Sequence, residues 1–377
     1  MFIWYLVGIL GLALLMVVHE SGHFFAARAF GMHVTKFSIG FGPTFFKIVP
    51  KDGYFWFTTG GDRIKIRLWK HDPERHGPTI YQVAMIPFLA FVQVDGMNPF
   101  EEHDPNDKHS YANASLLGRI VTIFAGPLAN YLFASVFFFA AFMYGGVPAA
   151  LLPGADSAPE APLVAPLPDR VAIAAGVMKG DRVVEVSGVA IATWNEMAEQ
   201  ISKRPGQPIK VVVERNKERV TLEMTPANEN GVGKIGVAPF EPRVMLPARD
   251  AGKLAIVAPA NVVRNSFILM GRALTGKVKA ELSGPVGMVK TVATAAKEGW
   301  EFGLELLGGI SAYLAAFNMI PLPALDGGRL LFLTYEATTR RRPNARVEGW
   351  IHATGVLMLL TLALWVTVFK DFGLGSK

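Results

Sequence analysis

Residues 2–30 read FIWYLVGILGLALLMVVHESGHFFAARAF. This run is apolar for longer than the roughly 20 residues a helix needs to cross a hydrocarbon core. No lysine or arginine precedes Arg28, and the run outlasts the apolar stretch of a secretory signal peptide, so it reads as a retained span. Towards its end it carries His-Glu-Ser-Gly-His at positions 19–23. His19 and His23 are four apart and share one helix face, where a single divalent metal can bridge them. Glu20 projects near the same spot, placed to take a proton from a metal-bound water and pass it to a leaving amine. A charged side chain at the bilayer centre costs about 2.5–3.5 kcal/mol on insertion scales. Two histidines and a glutamate in an apolar helix therefore mark a chemical site rather than polar glue between helices.

The rest of the chain supports a membrane setting. It has 377 residues, 51% of them hydrophobic, and a mean hydropathy of +0.31. Three further runs are long and apolar enough to span: Leu116–Tyr144, an interrupted one over Leu304–Leu333, and Trp350–Phe369. The expected fold class is an α-helical integral membrane protein with four spans. The formal net charge is +6, but its carriers sit in loops beside the apolar runs. Lys36, Lys47, Lys51, Arg63, Lys65, Arg67 and Lys70 follow the first span, and Arg340, Arg341, Arg342 and Arg346 precede the last. This pattern reflects topology, not nucleic-acid binding, and the positive-inside rule puts both loops in the cytoplasm. Both termini and the stretch between the second and third spans then face outward, which in a Gram-negative cell is the periplasm. There is no cysteine, so disulfide and thiolate chemistry are excluded and any metal is held by histidines and carboxylates.

Between the spans lie smaller parts. Residues 31–114 hold β-branched and aromatic runs such as FSIGFGPTFFKIV, YFWFTT, RIKIRLW and YQVAMIPFLAFVQV, broken by Gly, Pro and Asp. They read as a small membrane-associated antiparallel sheet. Residues 146–162 have linker composition. Residues 163–228 read as a mixed α/β domain, with a helix opened by Thr193 and closed into a capping box by Glu196. Within it, AAGVMKGDRVVEVSGVAI resembles the signature of a PDZ domain, which implies binding of an extended peptide at a sheet edge. Residues 229–300 read as linker and interfacial amphipathic helices. Arg264 and Arg272 interrupt the apolar stretch Leu254–Leu274, and Pro259 and Asn261 stand near its start.

A catalytic zinc usually has three protein ligands and one open position. The candidate for the third is Asp326 in NMIPLPALDGG, which interrupts the span expected over 301–338. Pro321 and Pro323 break the helix there, and Gly327 and Gly328 permit tight turns. Irregular backbone at membrane depth is tolerated only where it is buried in protein or lines a cavity. The competing reading makes Asp326 a plain helix cap.

At this point the residues resemble the site-2 proteases, in the bacterial branch with a periplasmic PDZ insertion that releases sigma factors from membrane anchors. The likeness rests on HESGH, FSIGFGP, AGPLAN at 125–130, the PDZ-like stretch, LSGPVG at 282–287 and NMIPLPALDGG, in that order. It implies an intramembrane metalloendopeptidase with one zinc per chain, held by His19, His23 and Asp326, with Glu20 as acid/base. It implies that Asn318, and less directly Asn130, hold substrate backbone, and that the sheet clamps the substrate as an added strand. Its partners would be transmembrane segments of single-pass proteins, such as anti-sigma factors or remnant signal peptides. A peptide or substrate ectodomain would meet the PDZ-like domain, and the lipid bilayer would surround the core. The sequence departs from the family pattern at Leu89 and Ala90, where many relatives carry two glycines, and it shows one PDZ-like domain where some have two. The alternatives are a catalytically silent membrane scaffold and a metal transporter. The intact catalytic positions argue against the first, and the lack of internal repeats argues against the second.

Overall fold

The computed structural model describes residues 2–98, 100–101, 104–152, 162–167, 170–276 and 283–372, with only the backbone at 87–89, 150 and 274. Residues 153–161 of the expected linker, residue 282 of the LSGPVG motif and the Leu89 side chain lie outside that description. The chain forms two compact units, Met1–Tyr144 with Ala248–Lys377, and Gly145–Pro247.

In the first unit, α1 (Phe2–Ala29) leads into four strands: β1 (Val34–Lys51), β2 (Tyr54–Thr59), β3 (Lys65–Lys70) and β4 (Ile80–Val94). The sheet order is β3-β2-β1-β4, all antiparallel. The two long strands are folded over. Phe37 of β1 pairs with both Val92 and Tyr81 of β4, and Ile39 with both Ala90 and Val83. Gly40 and Gly42, at φ +91° and +90°, let β1 bend back, and its later half (Thr44–Ile48) pairs with β4 residues 81–84. The limb Ala90–Val94 is thereby left as a sheet edge. Phe24 and Ala27 of α1 pack with Val34 and Val94, which fixes this edge to the end of α1 that carries the histidines.

After the sheet, α2 (Leu116–Gly145) carries Pro127 inside it. Gly22 of α1 faces Ala125 and Ala129 of α2 so closely that a methyl group there would strike the Ala125 carbonyl. This is the small-residue contact by which helices approach in lipid. The remaining described helices of this unit, each longer than one turn, are, in chain order, α4 (Ala248–Leu274), α5 (Pro285–Glu298), α6 (Trp300–Asn318), α7 (Asp326–Thr339) and α8 (Ala345–Val366), with α3 in the second unit. Leu15, Phe137, Val292 and Leu307 form a buried cluster joining α1, α2, α5 and α6. Asp371, just past α8, accepts hydrogen bonds from the Gly284 and Gly287 N–H groups at 3.0 and 2.9 Å and so caps α5.

Among the described residues, four helices are long and apolar enough to cross a membrane: α1, α2, α4 and α8, the last counted to Asp371. The number matches the sequence reading, but the set differs. The stretch expected as the third span is split into α6 and α7 by residues 319–325. The Leu254–Leu274 stretch, expected as an interfacial helix, is part of one continuous helix of 27 residues. Pro259 lies inside it, and buried Ala251, Ala255 and Ala258 give it one packing face while Arg264 and Arg272 stay exposed. A single proline removes one backbone bond but does not end a helix whose packing face runs through it.

Among the described residues, the second unit has a six-stranded antiparallel sheet and one helix longer than a turn; five strands follow one another across the sheet, and the two-residue strand Val189–Ala190 pairs with Glu185 and Val186 beside them. The five are β5 (Leu163–Pro166), β6 (Asp181–Val186), β7 (Ile209–Arg215), β8 (Glu218–Met224) and β9 (Val237–Pro239), in the order β8-β7-β6-β5-β9. The sheet thus reaches past residue 228, because β9 completes it on β5 and Ile235 is buried in its core. The helix α3 (Trp194–Ser202) has the expected capping box: Glu196 N–H donates to Thr193 Oγ1 and Thr193 N–H to Glu196 Oε2, each at 3.2 Å. Met197 and Ile201 of α3 close the core over Val183, Val186, Val211 and Val213.

Asp181 is buried in this unit and accepts two bonds from Arg215, at 2.8 and 2.7 Å, and one from the Met178 N–H at 2.8 Å. Burial alone would raise its pKa, but Arg215 and the Met178 N–H outweigh burial and hold the carboxyl below the usual carboxylate range. Stability from this pair is therefore present above about pH 4, the unfolded carboxylate value, and is lost as pH falls through the lowered folded value. Asp181→Asn is expected to cost about 1–3 kcal/mol at neutral pH. Hydrogen exchange of the Asp181–Val186 amides in the full chain would show faster exchange and a flatter acid dependence. Unchanged protection would mean the pair contributes nothing.

Candidate metal centre

His19 and His23 lie on the inner face of α1 and are 6% and 7% exposed. Their Nε2 atoms stand 3.2 Å apart. Asp326 is the first residue of α7, with Leu325 as the cap residue, and its side chain makes no capping bond. Its Oδ2 lies 3.1 Å from His19 Nε2 and 3.4 Å from His23 Nε2. These three residues form the one metal-competent group of three or more histidines, cysteines and carboxylates among the described residues. Two ligand atoms at about 2.0–2.1 Å from a tetrahedral zinc stand about 3.3–3.4 Å apart, so the triangle has the size of a zinc face. Oδ2 is buried and has no well-aligned hydrogen bond, as expected of a carboxylate oxygen whose partner is an ion.

The far sides of the rings set their tautomers. His23 Nδ1 is 2.8 Å from the Thr122 carbonyl oxygen, which can only accept, so Nδ1 carries the proton and Nε2 offers a lone pair. His19 Nδ1 faces the Asn130 carboxamide at 3.5 Å, and Asn130 Oδ1 is buried without a partner. With the amide turned so that Oδ1 accepts from Nδ1–H, both groups are satisfied and His19 Nε2 also points a lone pair inward. Asn130 is fully buried, and its backbone carbonyl accepts from Ser311 Oγ at 2.8 Å. The structure thus brings Asn130 to the back of a histidine, whereas Asn318 ends α6 half-buried, with no side-chain hydrogen bond to a described residue.

Glycines make the crowding possible. A methyl group on Gly126 would run into the His23 ring and touch that of His19, so α2 passes over both imidazoles only with glycine there. Methyl groups on Gly327 and Gly328 would strike the backbone of Met319, Ile320 and Leu322, so the broken stretch folds back against the start of α7. Ala324 in that stretch has φ +74°, a left-handed conformation unusual for alanine. Its N–H donates to Nδ1 of His352 on α8 at 3.1 Å. Sequence reasoning missed His352, since a lone histidine in an apolar helix carries no motif.

Glu20 faces the same space. The Val92 N–H, on the edge limb of β4, donates to Glu20 Oε2 at 3.0 Å. One oxygen is fixed and the other is free to hold a proton. The sequence placed the sheet near the histidines, but nothing in it pointed to a strand amide as the anchor of the glutamate.

Residues 7–59 and 64–362 match the profile of peptidase family M50. This chain belongs to that family. It is 30% identical to the zinc metalloprotease RasP of Geobacillus kaustophilus, over 94% of each chain. It is 26% identical to the regulator of sigma-E protease RseP of Escherichia coli, over 98% of this chain and 99% of that one. The protein is thus a zinc metalloprotease of the site-2 type and a bacterial membrane protein.

Asn130→Ala is expected to weaken zinc affinity by about 10–100-fold, the usual effect of removing a partner that orients a ligating histidine. Competition with a chromophoric chelator reads this directly. An unchanged affinity would show that Asn130 does not act on the metal.

Proposed function

We propose that His19, His23 and Asp326 hold the zinc, that Glu20 is the acid/base, and that the enzyme hydrolyses peptide bonds within the membrane segments of single-pass proteins. The observation that carries this reading is the convergence of three ligand atoms within 3.1–3.4 Å between apolar helices. Bound there, zinc would polarise a carbonyl and lower the pKa of a bound water to about 7. Glu20, one residue after His19, has one carboxylate oxygen held by the Val92 N–H, which leaves the other for proton transfer. It can take a proton and return it to the leaving amine.

A substrate helix hides its amides in its own hydrogen bonds and must unwind to be cut. The edge limb Ala90–Val94 lies beside Glu20 and can pair with an unwound strand, and the Asn318 carboxamide, which makes no hydrogen bond to a described residue, can take up a further backbone group. In the second unit, a groove of about 390 Å³ runs between α3 and the edge strand β9, lined by Met197, Ile201, Ile235 and Val237. It supports the PDZ reading, with a peptide or substrate ectodomain added along β9. The basic loops support an orientation with this unit and both termini in the periplasm.

The test pairs zinc content with cleavage in detergent. The wild type is expected to carry one zinc per chain and to cut type II single-span segments, including an anti-sigma factor trimmed on its outer side and a remnant signal peptide. Glu20→Gln should keep the metal and lose about 10²–10⁴-fold in rate. Asp326→Ala should lose both metal affinity and activity, while Asn318→Ala should keep zinc and cut more slowly. Cleavage by Glu20→Gln at the wild-type rate would remove Glu20 from the chemistry.

A further inference from the structure

At the end of α7 opposite Asp326, Arg119 of α2 forms a two-pronged ion pair with Glu336, at 2.9 and 2.5 Å. Arg119 is 7% exposed. It belongs to the lining of a cavity of about 170 Å³, which also includes Arg329, Arg342, Glu336, Glu348 and Tyr111. Arg342 reaches Glu336 at 3.4 Å and donates to the Ala112 carbonyl. Arg329, half-buried, makes no hydrogen bond or ion pair with a described residue. Three arginines against two glutamates leave one positive charge, the complement of one phosphodiester.

The cavity does not end in polar walls. Phe332, Pro343 and Glu348 also line a groove of about 560 Å³ between α7 and α8, whose other walls include Leu331, Tyr335 and Val347. Leu331 and Val347 are 55% and 54% exposed. A cationic cavity that shares three wall residues with an apolar groove matches the two parts of a lipid, a headgroup in the first and a chain in the second. We propose that this is a binding site for one anionic phospholipid, with its phosphate among Arg119, Arg329 and Arg342 and an acyl chain along the α7–α8 groove. Basic pockets beside membrane helices hold such headgroups, and Arg340, Arg341 and Arg346 add to the local positive field. The lipid bridges α2, α7 and α8, and so braces the helix that begins with Asp326. The inference rests on the chain being a membrane protein and does not need the catalytic assignments.

The experiment is native mass spectrometry of the full-length protein, exchanged into detergent and titrated with phosphatidylglycerol or phosphatidylcholine. One phosphatidylglycerol should be retained per chain in preference to phosphatidylcholine. Arg329→Gln should weaken retention about five-fold, the weight of one arginine at an anionic headgroup. Val347→Trp, at an exposed position where folding is not at stake, should weaken it by filling the groove. Equal retention of the two lipids, or wild-type retention by both variants, would overturn the proposal. Displacement of the lipid by millimolar inorganic phosphate would also overturn it, in favour of a small-anion site.

Discussion

Polar groups at membrane depth must find their partners inside the protein, and the cluster of His19, His23 and Asp326 is where this constraint acts hardest. Water cannot satisfy three ligand atoms held within 3.4 Å of one another between apolar helices. Each neighbouring feature answers that problem. Thr122 and Asn130 take up the outer ring nitrogens, Gly126 clears the space above the imidazoles, and the fold-back of residues 319–325 brings a carboxylate from a second helix. On the proposed assignment, these three residues would hold a zinc, which would supply the electrophile to which all three lone pairs can point.

The sheet extends the same logic to the glutamate. Folding over leaves the Ala90–Val94 limb as an edge, and one edge amide becomes the anchor of Glu20. Edge strands normally need protection because they recruit other strands. On the proposed function that liability would be useful, since an unwound substrate needs the same hydrogen bonds.

At its start, Asp326 of α7 stands 3.1 and 3.4 Å from the two histidine Nε2 atoms, and at its other end the helix is held by charge, where Glu336 pairs with Arg119. Removing one member of a buried pair of this kind typically costs about 3–5 kcal/mol, because the other is left desolvated and unpaired. Asp326, the proposed third ligand, follows a break in the helix, and the Arg119–Glu336 pair anchors the other end of the same helix. The Ala324 bond to His352 adds a further tie on the break itself.

The sequence by itself determined the chemistry and the membrane setting. Residue type and spacing within one helix put His19, Glu20 and His23 together, since four residues make about one turn. The proline and glycine content of residues 318–328 marked a break with Asp326 at its end, and apolar run length marked most of the spans. Only the tertiary structure decided which apolar stretch is a continuous helix. Pro259 and two arginines look like interruptions until the buried alanine face of α4 is seen. It alone decided the fold-over of β1 and β4, the Val92 amide on Glu20, the Asn130 contact and the His352 tie. Each of these joins groups 28 to 111 residues apart. Local pattern records propensity and periodicity along the chain, whereas such contacts exist only once packing has brought distant backbone within hydrogen-bond reach.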